Sequence, residues 1–252
     1  MMSIIKNKAL IATIVLATVF HSTLQASNMG SFVHPYRFVV ALGFGPAWGA
    51  GVGNQNLFLT PEIEKTYTQQ VTHSALTDAE VFWGIQSPFR NMLQSQTGIA
   101  VGVTSRAQVS GAIWDDADPI FNNYGHSYFV QHTHLAVTEK LLADIGLNVM
   151  PWLSASLGVA WNESNSFKNT PTIPEAVTMS NFSNHTQNAF TYTLGVGVEK
   201  SLTEHWQIGM GYEFADWGAW NLSRSIGQTV GEGPGSNHLY TNGLLFNVTL
   251  IA

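Results

Sequence analysis

The chain has 252 residues, of which only 10% are charged, and its formal net charge at pH 7 is −6. Soluble domains carry about 25% charged residues, so this sequence is poor in the groups that a water-exposed surface needs. The acidic balance argues against nucleic acid as a partner. The absence of cysteine excludes disulfide bonds and thiolate metal sites.

The first 26 residues have the pattern of a secretory signal peptide. Lys6 and Lys8 precede an apolar run from Ala9 to Phe20, and a short polar stretch ends at Ala26. The apolar run is shorter than the about 20 residues that a transmembrane helix needs. An uncleaved N-terminal anchor is the alternative. We expect cleavage after Ala26, which would leave residues 27–252 as a single domain with eight basic and 16 acidic residues.

Alternation of apolar residues with small or polar ones dominates the rest of the chain. In chain order it predicts eight strands, near 36–48, 79–87, 94–112, 125–140, 148–162, 189–201, 205–221 and 238–252. The clearest are "AFTYTLGVGVEK" and "HWQIGMGYEFAD", in which every second residue is apolar. In the third strand, the same alternation places Val101, Val103, Ala107 and Val109 on one face.

The connections between these strands alternate in length. Short ones fall near 88–93, 141–147 and 202–204, and long ones fall near 49–78, 113–124, 163–188 and 222–237. This layout is typical of an up-and-down barrel in a membrane, and most strands exceed the ~9–11 residues that cross a bilayer at a tilt. We therefore predict an all-β fold, an eight-stranded antiparallel up-and-down transmembrane β-barrel with four long extracellular loops. A soluble β-sandwich with tryptophans in its core is the alternative.

Closure of the sheet would give hydrogen-bond partners to the backbone N–H and C=O groups, which lipid cannot provide. It also gives every strand a lipid face and a lumen face. On the lumen side, small residues would keep a narrow interior from overfilling: Gly43, Gly102, Gly158, Gly195 and Gly211. Four charged residues fall on that side too: Arg37, Arg106, Glu199 and Glu213. We predict that they form a buried polar network in which opposite charges neutralise one another.

The C-terminal segment "HLYTNGLLFNVTLIA" carries the resemblance to a known family. Thr241, Gly243, Phe246 and Val248 follow the order polar residue, glycine, and two large apolar residues in alternation. With the N-terminal pattern and the strand rhythm, this resembles the small Gram-negative outer-membrane β-barrel family, which includes the OmpA transmembrane domain, the OmpX barrels and the opacity-type proteins. The chain departs from the family pattern where Val248 is aliphatic and where it ends on Ala252 rather than phenylalanine.

The resemblance covers residues 27–252, and it is specific for fold and location rather than for function. It implies a place in the bacterial outer membrane, reached by export through the signal peptide. It also implies contact with outer-membrane lipid and lipopolysaccharide, and reading of Thr241, Gly243, Phe246 and Val248 by the barrel-assembly machinery as a C-terminal assembly signal.

Candidate metal sites are few. His132 and His134 share a strand face, where they would either bind zinc or copper or form hydrogen bonds with their neighbours. Asp115, Asp116 and Asp118 crowd one loop, but their spacing lacks the glycine and the glutamate of a calcium loop, so a solvated acidic loop is favoured. We predict no cofactor.

The favoured function is a non-enzymatic membrane scaffold whose surface-exposed loops serve adhesion or envelope interaction, including contact with a host surface ligand. A narrow porin-like channel or hydrophobic-solute carrier is the first alternative. The second is a lipid A-modifying barrel enzyme. Lipid A deacylases place a histidine and a serine two residues apart on one strand, whereas Ser154 and Ser156 have no histidine beside them in sequence.

Overall fold

The computed structural model describes residues 36–50, 52–71, 74–90, 92–177 and 179–252; the predicted signal peptide lies outside them. Eight antiparallel strands form a closed ring in chain order: β1 (Arg37–Gly49), β2 (Leu76–Arg90), β3 (Leu93–Thr104), β4 (Asn122–Ala143), β5 (Met150–Pro171), β6 (His185–Ser201), β7 (Trp206–Asp216) and β8 (Tyr240–Ile251). The predicted eight-stranded up-and-down barrel is therefore confirmed. In the described part of the chain, no helix combines the length and the apolar character needed to cross a membrane.

The ring closes where the last strand pairs with the first, from Val39 opposite Ile251 to Gly49 opposite Thr241. Following paired residues once around the ring gives the path Val39, Gly84, Gly98, Thr138, Ser156, Thr193, Ala215, Thr241, Gly49. The path returns to β1 ten residues above its start. This stagger requires the strands to tilt by roughly 40° from the barrel axis.

The outer face of the ring is an apolar belt. Its side chains alternate with lumen-facing residues and are largely exposed in the isolated chain, as lipid contact requires: Phe38, Leu42, Phe44, Trp83, Ile99, Val101, Leu135, Val137, Leu153, Leu157, Phe190, Leu194, Val196, Ile208, Met210, Leu244, Phe246, Val248 and Leu250. Trp48, Trp161 and Trp206 lie toward the ends of this belt, where indoles suit a membrane interface. The belt identifies the membrane-spanning surface.

A folded cap stands above the belt at the loop end. There β4 and β5, each 22 residues long, continue past the neighbouring strands. The four long connections, L1 (50–75), L2 (105–121), L3 (172–184) and L4 (217–239), complete the cap. They add short strands and one 3-10 turn: Gln55–Thr60, Ile63–Tyr67 and Gln70–Val71 in L1, Ala107–Asp115 and Pro119–Phe121 in L2, Phe182–Ser183 in L3, and Trp220–Asn221, Ser223–Ser225 and Gly235–Ser236 in L4.

The cap has its own apolar core, made of buried aromatic and aliphatic side chains from the loops and from the upper ends of the long strands: Leu57, Tyr67, Val71, Leu76, Ala107, Val109, Ile113, Tyr124, Tyr128, Val130, Phe167, Phe182, Ala215, Trp217, Trp220, Leu222 and Leu239. Rings pack directly on one another here; Phe167 and Phe182 meet edge to face with centroids 4.9 Å apart. Burial on this scale makes the loops a folded unit rather than independent surface segments.

One extra residue changes the facing predicted for the third strand. Val103 pairs with Thr133 and Ala107 pairs with Val130. The chain therefore advances four residues between these pairs, whereas β4 advances three. An irregularity of this kind moves every following side chain to the opposite face. Ala107 and Val109, predicted to face lipid with Val103, are instead fully buried in the cap.

Removal of the last seven residues, Phe246–Ala252, should abolish membrane assembly. These residues pair with β1 on one side and with β7 on the other, so their loss opens the ring and exposes two rows of unpaired backbone groups to lipid. The measurement is heat-modifiable gel migration of outer-membrane fractions. A matched control lacks 173–177 in L3, outside the ring strands, and should assemble normally; normal levels of the C-terminal truncation would contradict this account.

Candidate functional site

Two regions of the barrel gather polar side chains: the lumen, and a cleft in the cap. In the lower lumen, Lys140 on β4 forms an ion pair with Glu199 on β6, whose side chain is completely buried. Thr249 Oγ1 and Asn247 Nδ2 donate to Glu199 Oε1 at 2.8 and 3.2 Å. The Lys140 ammonium also lies 5.0 Å from the centre of the Trp152 ring. A buried charge thus meets an opposite charge and hydrogen-bond donors.

This arrangement corrects part of the predicted lumen network. Glu199 is in the lumen, but its cation is Lys140 on β4, which was not among the predicted network residues. Arg37, at the first residue of β1, and Arg106, at the irregularity after β3, are both exposed and do not reach Glu199. Glu213 faces the lumen, where it lines a cavity of about 60 Å³ with Glu80 and Lys140.

The upper lumen contains a row of side chains that are linked by hydrogen bonds. His134 Nε2 lies 3.1 Å from Glu80 Oε2, and His134 Nδ1 lies 3.1 Å from His132 Nε2. His132 Nδ1 in turn lies 2.8 Å from Asn162 Oδ1. His132 also stacks on Trp217, with centroids 4.6 Å apart. The two histidines are therefore structural partners, and no group of three or more His, Cys, Asp or Glu side chains in the described residues could hold a metal ion.

Asn162 connects this row of hydrogen-bonded side chains to the cap. Its Nδ2 donates to the carbonyl oxygens of Trp217 at 2.7 Å and of Ala219 at 2.9 Å, both at the start of L4. Because Asn162 is completely buried on β5, L4 is fixed to the barrel wall rather than free above it. Neither Asn162 nor Glu80 was among the predicted network residues, although the lumen-facing alternation of their strands could have indicated both.

Inward glycines leave room for the large lumen side chains. A Cβ at Gly102 would collide with the His134 ring, and one at Gly211 would collide with the Trp152 ring. A Cβ at Gly43 would lie only 3.1 Å from Leu245 Cδ1. Leu245, an apolar residue at a lumen position of the last strand, packs with the cluster around Trp152. Glycine and bulky side chains alternate so that the interior is filled.

The second region is an open cleft of about 680 Å³ in the cap. L1, L4 and the upper end of β6 supply its lining, which consists of small residues, amides, a histidine, a carboxylate and one tryptophan: Val52, Gly53, Asn54, Gln55, His185, Gln187, Ala219, Trp220, Asn221, Glu232, Gly233, Gly235, Ser236 and Asn237. None of these lining residues is a lysine or an arginine, so the cleft has no fixed positive charge.

Hydrogen bonds hold the cleft side chains in place. Asn221 Oδ1 lies 3.2 Å from His185 Nδ1, and Asn221 Nδ2 donates to Glu232 Oε2 at 3.2 Å. On the L1 side, Gln55 Oε1 accepts from the Gly235 backbone N–H at 2.9 Å and from Gln69 Nε2 at 3.3 Å. The two loops are thereby joined, and the cleft is preformed.

The other predicted candidates have structural contacts. Asp115 pairs with Lys65 and accepts from Asn123 Nδ2 at 2.7 Å, and Asp118 Oδ1 accepts from the Ile120 backbone N–H at 2.9 Å. On the lumen side of β5, Ser156 Oγ lies 2.7 Å from Thr193 Oγ1.

The C-terminal assembly residues lie on β8, where Thr241 is buried on the lumen side and Phe246 and Val248 belong to the lipid-facing belt. Phe246 packs against Phe44 of β1, with ring centroids 6.1 Å apart. These residues thus contribute to ring closure. Their reading by the assembly machinery stays a prediction of the resemblance.

A closed ring of eight strands with an apolar outer belt and a polar lumen is the architecture of small bacterial outer-membrane barrels. The chain has the fold of a small transmembrane β-barrel.

Comparisons with solved structures find remote similarities. Neisserial surface protein A is 13% identical, with a TM-score of 0.41, and the match covers 84% of this chain and 96% of that one. Ail of Yersinia pestis is 9% identical, with a TM-score of 0.36 and coverage of 86% and 98%. The outer-membrane protease OmpT from Escherichia coli is 10% identical, with a TM-score of 0.42 and coverage of 90% and 98%.

No protein-family model matches the sequence, and no curated protein sequence matches it either. The structural similarities are remote, so no activity or ligand is carried over from them. The assignment of the fold depends on the strand pairing described above.

Replacement of Glu199 by glutamine should strongly destabilise the barrel, because Lys140 would keep a buried charge without its counter-ion. Breaking a buried pair in this way costs about 3–5 kcal/mol. Urea unfolding of the refolded protein in lipid vesicles, followed by tryptophan fluorescence, measures the loss. Glu204→Gln, in the exposed turn between β6 and β7, is the matched control. A Glu199→Gln variant as stable as this control would show that the ion pair is dispensable.

Proposed function

We propose that this protein is a non-enzymatic, non-conducting outer-membrane scaffold that presents a preformed recognition cleft to the outside of the cell. The observation that carries the proposal is the folded cap, which covers the lumen with an apolar core and fixes L1 against L4. The barrel supplies the rigid base, and the cap supplies the binding surface. Adhesion or interaction with envelope components is the role that such a surface serves.

The filling of the lumen supports a scaffold rather than a pore. Trp152, the Lys140–Glu199 pair and the cluster of Leu142, Met150 and Leu245 fill the lower part. Above them, His132 stacks on Trp217 directly beneath the cap. An eight-stranded barrel has an interior only wide enough for its side chains, so these groups leave no wide aqueous path.

The chemistry of the cleft supports a neutral, hydroxyl-rich ligand such as a surface glycan. Amides, an imidazole and a hydroxyl can both donate and accept hydrogen bonds, which suits the hydroxyl groups of a sugar. With Glu232 as the charged lining residue, the cleft disfavours sulfated or phosphorylated groups, including the phosphates of lipopolysaccharide. Its volume lies within the range of about 300–1,000 Å³ usual for ligand sites.

Planar-bilayer recordings test the scaffold proposal against the channel alternative. The reconstituted full chain should give no reproducible single-channel steps, because the cap core and the lower lumen side chains obstruct the path. The measurement is conductance in 1 M KCl, with a general diffusion porin as the positive control for reconstitution. Stable unitary conductance from the full chain would overturn the non-conducting assignment in favour of a narrow pore.

Glycan binding tests the recognition proposal. Neutral oligosaccharides should bind the refolded chain on an array, whereas sulfated ones should not. Asn221→Ala should weaken binding about ten-fold, since it removes an amide that contacts both His185 and Glu232, a loss of about 1–2 kcal/mol. Asn148→Ala, the same change in an exposed turn at the opposite end of the barrel, should bind normally. Equal binding by the two variants would remove the cleft from the mechanism.

Lipid A modification remains the enzymatic alternative. It would require an activated serine, and the Ser156 hydroxyl contacts Thr193 rather than a histidine. Mass spectrometry of lipid A from cells with and without the gene should therefore give identical spectra. A mass difference equal to an acyl chain would contradict the non-enzymatic proposal.

A further inference from the structure

A continuous row of aromatic rings crosses one side of the barrel wall. Successive ring centroids lie 6.4, 6.3, 5.8 and 5.5 Å apart, and the planes of the last pair differ by only 2°. These separations are those of interacting aromatic pairs, which prefer about 4.5–7 Å. We call this row the aromatic ladder; in order it comprises Phe190 and Tyr192 on β6, Phe214 on β7, Tyr240 on β8 and His238 in L4.

The aromatic ladder lies on the lipid-facing side of the wall, at the loop end of the belt. Tyr192 and Tyr240 both pair with Asp216, the last residue of β7. Phe190 is 63% exposed in the isolated chain. On the same three strand faces, apolar side chains continue the surface away from the loops: Leu194, Met210 and Leu244. The aromatic ladder therefore lies where the apolar belt meets the cap.

This concentration of rings is confined to one sector of the loop end. Barrels in membranes carry aromatic residues around the whole of each interface. On the opposite wall, the directly paired outward residues near the loop ends of β2, β3 and β4 are Ala79, Val103 and Thr133, none of which has a ring. Anchoring of the barrel in the interface does not account for rings that are gathered on β6, β7 and β8. The sector is instead suited to a particular occupant.

A buried carboxylate holds the last ring of the aromatic ladder. Asp216 is 3% exposed; its Oδ1 accepts from the Gly218 backbone N–H at 2.9 Å, and its Oδ2 lies 2.7 Å from His238 Nδ1. Because a carboxylate only accepts hydrogen bonds, Nδ1 carries the proton of this contact. Nε2, on the other side of the ring, forms no hydrogen bond within the described residues, and the His238 side chain is 56% exposed. The imidazole is thus held in place with one nitrogen free for a ligand.

We propose that the aromatic ladder binds the sugar headgroup of a glycolipid in the membrane leaflet on the loop side. The C–H face of a sugar ring would pack on the exposed rings of Phe190 and Tyr240, and its hydroxyl groups would form hydrogen bonds with His238 Nε2 and the tyrosine hydroxyls. The acyl chains would lie along the apolar belt below. This inference rests on the proposed place in the outer membrane, where lipopolysaccharide supplies such a glycolipid.

The position and the charge of the aromatic ladder select this occupant. A soluble sugar has no acyl chains to cover the apolar surface that continues from the rings, and a phospholipid has no sugar ring to cover the aromatic faces. Asp216 and His238 together carry no net positive charge, so the site recognises hydroxyl groups rather than phosphate. No residue of the aromatic ladder lines the cleft in the cap, so the two binding proposals can fail separately.

Lipid titration in a zwitterionic detergent, followed by native mass spectrometry, tests the site. The refolded full chain should retain one molecule of purified lipid A. Phe190→Leu should raise the dissociation constant about five-fold, because it removes the most exposed ring of the aromatic ladder. Phe38→Leu, the same change at an exposed ring near the other end of the belt, is the matched control and should bind like the native chain. Equal binding by the two variants, or none by the native chain, would overturn the proposal.

The same titration with altered lipids tests the chemistry of recognition. Dephosphorylated lipid A should bind within about three-fold of lipid A, whereas phosphatidylethanolamine should bind at least about ten-fold more weakly. Loss of binding on dephosphorylation would show that the site recognises phosphate, and equal binding of the phospholipid would show that the surface covers acyl chains alone. Either result would contradict recognition of the sugar.

Exchange of the imidazole for a phenyl ring tests the polar contact. His238→Phe keeps a ring beside Tyr240 but removes Nε2, and Asp216→Asn in the same chain avoids an unpaired buried carboxylate. This variant should bind lipid A about ten-fold more weakly, with heat-modifiable migration showing that the barrel has folded; unchanged affinity in the folded variant would contradict the role of His238. Density-gradient fractionation of cell membranes tests the proposed location separately, so a wrong location is distinguishable from a failure to bind the purified lipid.

Discussion

The structure depends on one constraint, which is that a strand in lipid cannot leave its backbone N–H and C=O groups unpaired. The pairing of β1 with β8 satisfies that constraint at the position where an open sheet would have two edges. Closure then fixes which side chains face lipid and which face the lumen, because a strand that pairs on both sides has one face for each. The apolar belt and the polar interior are two results of the same hydrogen-bond ladder.

Closure with eight strands also determines what the interior can contain. The stagger of ten residues sets the tilt and the diameter, and a ring of this size has room for side chains but for little else. Polar groups enclosed there must find partners within the protein. Glu199 pairs with Lys140 and accepts hydrogen bonds from Thr249 and Asn247. The two histidines form hydrogen bonds with Glu80 and Asn162. The glycines facing His134 and Trp152 show that volume, as well as charge, is matched across the lumen.

The sequence predicted the ring well, because alternation over ten or more residues directly reflects exposure to two different surroundings. It failed where a local irregularity broke that period: one additional residue after Thr104 turned Ala107 and Val109 from the predicted lipid face into the cap core. The lumen partners were harder to predict, since the contact between Lys140 and Glu199 joins strands that are not neighbours in the ring. Arg37 lies on the lumen side of its strand but at the first residue of β1, and Arg106 lies at the irregularity itself, so both are exposed. Alternation alone carries no information on depth in the membrane.

The same reasoning explains why the cap was not foreseen. Loop residues have no period, so the burial of Phe182, Trp220 and Leu222 depends on contacts between segments far apart in the chain. Yet the cap is fixed to the barrel through Asn162, whose amide holds the start of L4 while its oxygen meets His132. The cleft therefore takes its shape from the lumen beneath it as well as from its own loops. The strand pairing that closes the ring is thus linked, through a single buried amide, to the geometry of the cap.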